Sequence, residues 1–499
     1  MKKLLWLIMI SGFVLSVSPS LHAAVKLSEA TSECIDCHSQ IHPGIVQGWR
    51  NSRHAKTTPQ NALKVKGLSN KVTSENVPQE LRQTSVGCAE CHMLRSEAHA
   101  DKFEHNGYEI HVVVSPNDCA TCHSIEKMQY SRNPMSHAYG NLASNPIFQK
   151  LEKSITGTPE RLHGHVVFKP VDSATQAETC YYCHGTRLKV TGRETRDTDL
   201  AGELEFPIIE GWPNHGVGRV NLDKSLGACS ACHARHTFSI EMARKPHTCK
   251  ECHIGPDVPA FKVYSASKHG NIFSTFHHQW DFATVPWTIG KDFTAPTCAA
   301  CHISLLVNTE NEVVVNRTHQ MTDRLSWRLF GLVYAHPWPK SPDTTVIKNE
   351  HGLPLPTGLD GHFASAYLID ENSQESRRKT MQSTCLNCHD AAAVNGHWQR
   401  FETTIKKTNR HVRVATSILE DAWQVGLAEA AENYFNEAIE KKWTDIWQFY
   451  ANTIRFASAM GGGGDYTVYA GGYYQLNQTI VEMEEWLKIH RRLYDSEKK

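Results

Sequence analysis

Eight copies of the pentapeptide Cys-x-x-Cys-His are the feature that most constrains how this chain can fold. Two thiols at this spacing form thioethers with one porphyrin, and the adjacent His binds its iron. The thiols predicted to attach haem are Cys34, Cys37, Cys88, Cys91, Cys119, Cys122, Cys180, Cys183, Cys229, Cys232, Cys249, Cys252, Cys298, Cys301, Cys385 and Cys388. The predicted motif ligands are His38, His92, His123, His184, His233, His253, His302 and His389.

Zinc and disulfides are the two alternatives for so many Cys. A zinc site would combine two motifs and would leave the His after every second Cys unexplained. Disulfides are the ordinary expectation in an oxidising compartment, but all 16 Cys fall in one repeated spacing that ends in His. The sequence therefore predicts eight covalently attached haems c.

The first residues predict an export signal. A basic start at Lys2 and Lys3 precedes a short apolar run over 4–17 and small residues at Ala23. The run is short for a membrane span, which favours a cleaved signal peptide over 1–23 and a soluble periplasmic protein. The 52 basic and 52 acidic side chains balance, so net charge gives no reason to expect nucleic acid as a partner.

The spacing of the motifs predicts a mainly α, multihaem cytochrome c fold with a loop-rich core. Roughly 60 residues are available for each motif, so the haems must crowd into one body whose interior is largely porphyrin. This octahaem-binding catalytic region is expected over 24–395. A C-terminal helical region over 396–499, with helices at about 398–460 and 475–493, is expected either to pack on that core or to form a subunit interface.

A haem that only transfers electrons usually has a second strong axial ligand. The candidates in compact polar or small-residue contexts near a motif are His54, His137, His236, His269, His319 and His397. A seventh candidate is one of His99, His105 and His111, whereas His336, His351, His362, His411 and His490 are not expected to bind iron. A His that only makes hydrogen bonds is the alternative at each position, and spacing alone does not pair a distal His with an iron.

The fourth motif, Cys180–His184, differs from the others because both residues between its thiols, Tyr181 and Tyr182, are aromatic. Packing of these rings on the porphyrin would explain them equally well. A cluster of haems around one open iron, however, allows a multi-electron reaction without release of intermediates. We expect this haem to bind substrate and the other seven to carry electrons.

Beyond the motifs, the chain resembles the octahaem hydroxylamine oxidoreductase family along essentially its whole mature length. The matching segments are 180–186, 216–221, 229–239, 243–246, 255–257, 267–270 and 323–328. Some other octahaem reductases have Lys in place of the active-site motif His, and this chain does not.

The resemblance implies that haem four, held by His184, is five-coordinate and that the other seven haems are bis-His. It also implies a homotrimer and a distal pocket in which an Asp-His pair handles protons. Asp257 matches the Asp of this pair, but Val258 stands where the family commonly has His. Tyr334 resembles a further position of the pocket.

Oxidative members of the family also carry a Tyr from a neighbouring subunit's C-terminal region that cross-links covalently to the active haem, and reductive relatives lack it. The segment 464–474, which contains Tyr466, Tyr469, Tyr473 and Tyr474, resembles that region. A Tyr-rich loop that caps a helix is the alternative interpretation.

Together these features predict a periplasmic oxidoreductase for small nitrogen compounds, with His184, Asp257 and Tyr334 at its catalytic site. The leading prediction is hydroxylamine oxidation at haem four, with electrons leaving through the other haems to a soluble or membrane c-type cytochrome. One alternative is reduction of nitrite or hydroxylamine to ammonia on the same scaffold. The other is a non-catalytic electron-transfer protein in which all eight haems are bis-His.

Overall fold

The computed structural model of the chain describes residues 25–163, 165–429 and 433–498, so the predicted leader over 1–23 lies outside the described residues. The α-helices before the last haem motif are α1 (Glu29–Ile41), α2 (Pro43–Asn51), α3 (Arg53–Lys56), α4 (Pro59–Lys64), α5 (Cys88–His92), α6 (Pro116–Cys119), α7 (Ser124–Ser131), α8 (Ala138–Ala143), α9 (Pro146–Thr156), α10 (Ser173–Glu178), α11 (Cys180–His184), α12 (Ile240–Arg244), α13 (Pro246–Lys250), α14 (Ala260–Ala266), α15 (Lys268–Phe276) and α16 (Cys298–His302). The remaining helices are α17 (Glu371–Cys385), α18 (Ala391–Gln424), α19 (Ala438–Thr444), α20 (Ala451–Ala459), α21 (Gly464–Val468) and α22 (Tyr473–Glu497).

The strands are short and form small separate sheets. They are β1 (Phe103–His105), β2 (Tyr108–Ile110), β3 (Thr158–Leu162), β4 (His165–Lys169), β5 (Lys189–Thr198), β6 (Gly202–Glu210), β7 (Trp287–Thr288), β8 (Leu306–Val307), β9 (Val313–Val315), β10 (Trp327–Arg328) and β11 (His336–Pro337). Four antiparallel pairs, β1–β2, β3–β4, β5–β6 and β10–β11, accompany one three-stranded sheet, β7–β8–β9. The predicted mainly α architecture is confirmed.

Most helices before residue 370 are short because local signals start and stop them. In α9, for example, the Asn145 side chain accepts hydrogen bonds from the backbone N–H groups of Ile147 and Phe148, and Pro146 occupies the first turn. Both features begin a helix, since the first N–H groups have no partner within the helix. This start places Phe148 and Glu152 on neighbouring turns of α9.

The C-terminal helices supply a conventional apolar core. Buried residues of α18, α19 and α22 such as Leu419, Trp443 and Met483 pack with Ile147 of α9 and with Tyr334. The C-terminal region is therefore anchored on segments that belong to the haem-binding part of the chain. In the described ranges, no helix combines the length and apolarity that a bilayer span requires.

The prediction of one continuous helix over 398–460 is wrong, because the structure interrupts it. Helix α18 ends at Gln424, and the following Gly426 has a φ of 72°. The N–H of Leu427 bonds to the carbonyl of Ala422 at 2.9 Å, and the N–H of Gly426 bonds to that of Trp423. These two bonds and the left-handed residue form a Schellman motif, which ends a helix without proline.

We expect Gly426→Ala to destabilise the holoprotein by about 1–2 kcal/mol, because an L-residue with a side chain is strained at positive φ. A Cβ at this position would meet nothing within 4 Å, so any destabilisation comes from the backbone conformation and not from a steric clash. Chemical denaturation of the holoprotein measures it. Gly140→Ala is the matched control: it lies inside α8, also faces open space, and should be neutral or slightly stabilising. Equal destabilisation by the two variants would contradict the role of Gly426 in ending α18.

Candidate functional site

Each described haem motif contains one turn of helix that brings its three functional side chains to the same side. Three motifs form α5, α11 and α16, and in a fourth the N–H of His123 bonds to the carbonyl of Cys119 at 2.9 Å. Residues three and four apart on such a turn are neighbours. Both thiols and the imidazole therefore face one space, as attachment of a porphyrin requires.

Burial favours the neutral form of two of the motif imidazoles. Burial lowers the pKa of His233 and of His302 to about 4, so neither ring is protonated near neutral pH. The Nδ1 atom of His92 lies 2.8 Å from the backbone oxygen of His111. A hydrogen bond on Nδ1 fixes the tautomer and leaves Nε2 free to bind a metal. These residues therefore fit haem iron as axial ligands.

Thiols from different motifs lie close enough together for each to shift the pKa of the other. The pairs are Cys34 with Cys88, Cys119 with Cys229, Cys183 with Cys252 and Cys249 with Cys298. Motif four is therefore adjacent to motif six, and motif six is adjacent to motif seven. Haems attached at these thiols would be close neighbours, as electron transfer between them requires.

Five motif rings have a second imidazole at the spacing of a shared metal. Two imidazoles on opposite sides of one metal have ring centroids roughly 6 Å apart, because each metal–nitrogen bond is about 2 Å. The matching centroid distances are 6.3 Å for His54 and His123, 6.1 Å for His269 and His389, 6.5 Å for His319 and His233, and 6.1 Å for His105 and His38. Of the three alternatives for a seventh ligand, His105 meets the ring of His38 in this way, and His111 lies 6.0 Å from that of His92.

His99 and His111 form a buried stack instead, with centroids 3.6 Å apart. One ring nitrogen of His99 lies 3.2 Å from the carboxylate of Asp118, and Nε2 of His111 lies 3.0 Å from the backbone oxygen of Leu94. Although His111 is 6.0 Å from His92, its Nε2 already faces Leu94. These contacts engage one nitrogen of each ring, and among the described residues the buried Nδ1 atoms of both rings have no hydrogen-bond partner.

The remaining predicted distal ligands are His137, His236 and His397. Nε2 of His137 lies 3.0 Å from the backbone oxygen of Ser131, and its ring pairs with no motif ring in the described part of the chain. Burial, and next the charge of His92, lower the pKa of His236 to about 4, which places His236 near motif two. His397 stacks on Phe401.

The rings of His184, His253 and His302 pair with no second imidazole within the described residues. Of these three, His184 is the one beside both a carboxylate and a guanidinium. Desolvation lowers the pKa of His184, the charge of Asp257 opposes this, and the charge of Arg328 adds to it. The surroundings of His184 are thus charged.

Asp257 is positioned by the loop before α14 and by α20. The side-chain amide of Asn452 donates to the backbone oxygen of Asp257 at 2.9 Å. A Cβ on Gly255 would lie 2.4 Å from the Asp257 carboxylate, so only Gly fits there while that carboxylate keeps its place. Val258 packs with an apolar cluster that includes Ala335 and Phe456. The position where the resemblance expects His is therefore part of an apolar wall.

Tyr334 lies in the C-terminal core. Its side chain is 1% exposed, and its hydroxyl donates to the backbone oxygen of Leu359 at 2.7 Å and lies 3.2 Å from Oγ1 of Thr416. Burial raises the pKa of Tyr334 to about 12. Among the described contacts none joins this hydroxyl to His184 or Asp257, so its catalytic role stays a prediction.

The Tyr residues of the segment 464–474 are arranged in two ways. Tyr466 packs against the apolar cluster that contains Val258. The side chains of Tyr469 and Tyr474, in contrast, are 62% and 55% exposed to solvent. Which of them, if any, reaches a haem of a neighbouring subunit stays a prediction.

Sequence reasoning missed the role of one strand pair beside His184. Arg328 of β10 lies directly opposite His336 of β11. His336 is fully buried, and burial lowers its pKa to about 3. Arg328 belongs to a segment that resembles the family, but a two-residue strand has too little periodicity to show which side chains share a face.

Comparison with known proteins agrees with this arrangement. The family model described as "Seven times multi-haem cytochrome CxxCH" matches residues 220–328, and that described as "Cytochrome c554 and c-prime" matches residues 24–110. A solved structure described as a hypothetical multihaem protein is 38% identical, with a TM-score of 0.88, and the match covers 95% of this chain and 98% of that one. A second, described as a reducing HAO-like protein complex of Kuenenia stuttgartiensis, is 17% identical with a TM-score of 0.64, over 94% of this chain and 87% of that one.

A curated protein of Kuenenia stuttgartiensis, a probable nitrite reductase-hydroxylamine oxidoreductase fusion protein, is 24% identical over 388 residues. These residues are 73% of this chain and 34% of that protein, so the chain spans about a third of the length of this relative.

The fold and the ligand geometry define a multihaem c-type cytochrome with covalently bound haem. The chain belongs to the multihaem c-type cytochromes.

The pairing of His54 with His123 predicts that His54→Met raises the reduction potential of one haem, because Met/His ligation favours the reduced iron relative to bis-His ligation. Spectroelectrochemical titration of the holoprotein measures the shift. The matched control is His137→Met, since the His137 ring bonds to Ser131 and should leave every potential unchanged. If His137→Met alone shifted a reduction potential, His137 and not His54 would be the iron ligand.

Proposed function

We propose that this chain is a periplasmic octahaem enzyme that converts small nitrogen compounds at the haem attached through Cys180 and Cys183, with His184 as its axial ligand. The other seven haems carry electrons to or from a c-type cytochrome. When bound, the haem supplies an iron that can bind a small ligand and exchange electrons with it. A homotrimer and export through a cleaved leader over 1–23 are parts of the same proposal.

The observation that carries the proposal is the charged environment of His184. Asp257 and Arg328 both act on this ring, whereas the His54–His123 and His269–His389 pairs place a second imidazole at ligand spacing. An iron with two imidazoles has no free position, whereas a haem without a second imidazole and with charged groups nearby can hold a polar substrate.

Two directions of reaction are supported by different residues. Exposed Tyr469 and Tyr474 supply rings that a neighbouring subunit could accept, which favours hydroxylamine oxidation with a cross-linked haem. The apolar Val258 in place of the family's His favours the reductive direction, because it departs from the pocket of the oxidative mechanism. In that direction nitrite takes up six electrons and eight protons and gives ammonium and two water molecules.

Asp257 is the proposed proton-transfer residue in either direction. Its backbone is fixed by Asn452, and its carboxylate is close enough to act electrostatically on His184, Cys180 and Cys183. Val258 limits the polar groups next to it. Protons must therefore pass through Asp257 or through water rather than through an imidazole at position 258.

Asp257→Asn should lower turnover of nitrite or hydroxylamine by about 100-fold or more, the usual contribution of a general acid or base. Stopped-flow and steady-state assays on holoprotein with matched haem content measure this. Glu251→Gln is the control, because Glu251 is an exposed carboxylate that also acts on Cys183. If Asp257→Asn left turnover unchanged, Asp257 would not be the proton-transfer residue.

The spin state and the haem peptides test the rest of the proposal. We expect a high-spin ferric haem that changes when hydroxylamine is added, and mass spectrometry of the Cys180–His184 peptide decides the direction. A mass that includes a peptide containing Tyr469 or Tyr474 supports oxidation, and its absence supports reduction. A spectrum with low-spin haems alone would support the electron-transfer alternative.

A further inference from the structure

Three side chains of types that bind metals meet in the segment 349–363, which contains no haem motif. Nδ1 of His362 lies 2.9 Å from a carboxylate oxygen of Asp360 and 3.4 Å from one of Glu350. All three donor atoms lie within 4.8 Å of one another. His362 and Glu350 are exposed and Asp360 is partly buried, so a cation from solvent can reach them. The segment therefore brings one imidazole and two carboxylates to a single point at the surface.

The spacing of these atoms matches a tetrahedral zinc site. Zinc binds His nitrogen and carboxylate oxygen at about 2.0–2.2 Å, so two ligand atoms of a tetrahedral site are roughly 3.4 Å apart. The two distances from Nδ1 of His362, 2.9 and 3.4 Å, are close to this value. An imidazole together with carboxylates also suits zinc better than calcium or magnesium, which prefer oxygen ligands alone.

Hydrogen bonding by itself accounts for only one of the two carboxylates. Nδ1 of His362 carries at most one hydrogen, and Asp360 is the nearer acceptor. Glu350 brings a second negative charge to the same nitrogen, and like charges so close together repel. The charge of Arg413 reaches Asp360, but this guanidinium is paired with Glu420 at 2.7 Å. A divalent cation at this point would balance both carboxylates.

The backbone of the segment fixes the direction of the Asp360 carboxylate. Its Oδ1 accepts a hydrogen bond from the N–H of His362 at 3.0 Å. A Cβ on Gly358 would lie 2.4 Å from the same oxygen, so only Gly allows the carboxylate this position. Oδ2 then faces Nδ1 of His362. Asp360 is thus oriented by the chain before a cation binds, which reduces the cost of ordering it on binding.

Asn349 joins the turn that carries Glu350 to the other side of the loop. This side chain is buried, and its Oδ1 accepts a hydrogen bond from the N–H of His351 at 3.0 Å. Its Nδ2 donates to the backbone oxygen of Thr357 at 3.1 Å. The donors on the two sides of the loop are therefore held together by a buried amide and do not depend on a chance approach of surface side chains.

We infer that Glu350, Asp360 and His362 bind one zinc ion, whose fourth position is open to water. This cation site lies outside the haem motifs and goes beyond the proposed function. The same loop contacts Tyr334, whose hydroxyl donates to the backbone oxygen of Leu359 at 2.7 Å. Zinc at this site would therefore stabilise the loop that covers Tyr334.

Isothermal titration calorimetry of untagged, EDTA-treated holoprotein with zinc chloride tests the inference. We expect about one zinc ion per chain. His362→Ala should weaken binding by at least about 10- to 100-fold, because loss of a partner outside the ligand shell already costs that much. Asp360→Asn should also weaken it, although Asn keeps the Oδ1 that accepts from His362. Haem content equal to that of the wild type confirms that each variant has folded.

His278→Ala is the matched control. His278 is also an exposed imidazole, and its Nε2 lies 3.4 Å from the side-chain amide of Gln279 rather than beside a carboxylate. We expect unchanged zinc affinity in this variant. Calcium chloride is the control for the metal, and it should bind much more weakly than zinc because one of the three donors is nitrogen.

No zinc binding by the wild type, or equal affinity in the wild type and His362→Ala, would overturn the inference. Several weak sites that every variant shares would overturn it in favour of adventitious binding to surface His. A larger loss in His278→Ala than in His362→Ala would place the cation elsewhere, and tighter binding of calcium would overturn the choice of metal. Zinc binding requires no turnover, so failure of the proposed function leaves this test unaffected.

Discussion

The structure depends on one local interaction, the i to i+4 backbone bond that closes the helical turn of each haem motif. The bond between His123 N–H and the Cys119 carbonyl shows it directly. Because of this turn, two thiols and one imidazole leave the chain on the same side. The haem-binding part of the chain consequently needs short helices and loops that orient turns toward one another. The C-terminal helices α18, α19 and α22, in contrast, build a continuous apolar core.

The same turn gives rise to different sites because tertiary neighbours differ. Around His123 the neighbour is the imidazole of His54, whose pKa burial lowers to about 4. Around His184 the neighbours are the charges of Asp257 and Arg328. A neutral second imidazole suits electron transfer, whereas charges of both signs suit a polar substrate and its protons. The tertiary neighbours of each imidazole therefore distinguish motifs whose local structure is the same.

Several elements could be predicted from local sequence, and others could not. The haem motifs and the helices predicted from about 398 and over 475–493 follow from spacing, although α18 already begins at Ala391. The end of α18 at Gly426 was missed because an isolated Gly is a weak signal unless its φ is known. The pairing of the His105 ring with that of His38, and the burial of Tyr334 beside Thr416, depend on contacts between segments far apart in the chain.

The sequence by itself determined where haem attaches, because thioether chemistry needs only two thiols and a His at a fixed local spacing. It also determined the helical character of the C-terminal region, through apolar periodicity. Only the tertiary structure decided which imidazoles face each other, which thiols of different motifs touch, and that Arg328 and Asp257 both act on His184. Those relations join residues up to a few hundred positions apart, and no local pattern encodes a distance across such separations.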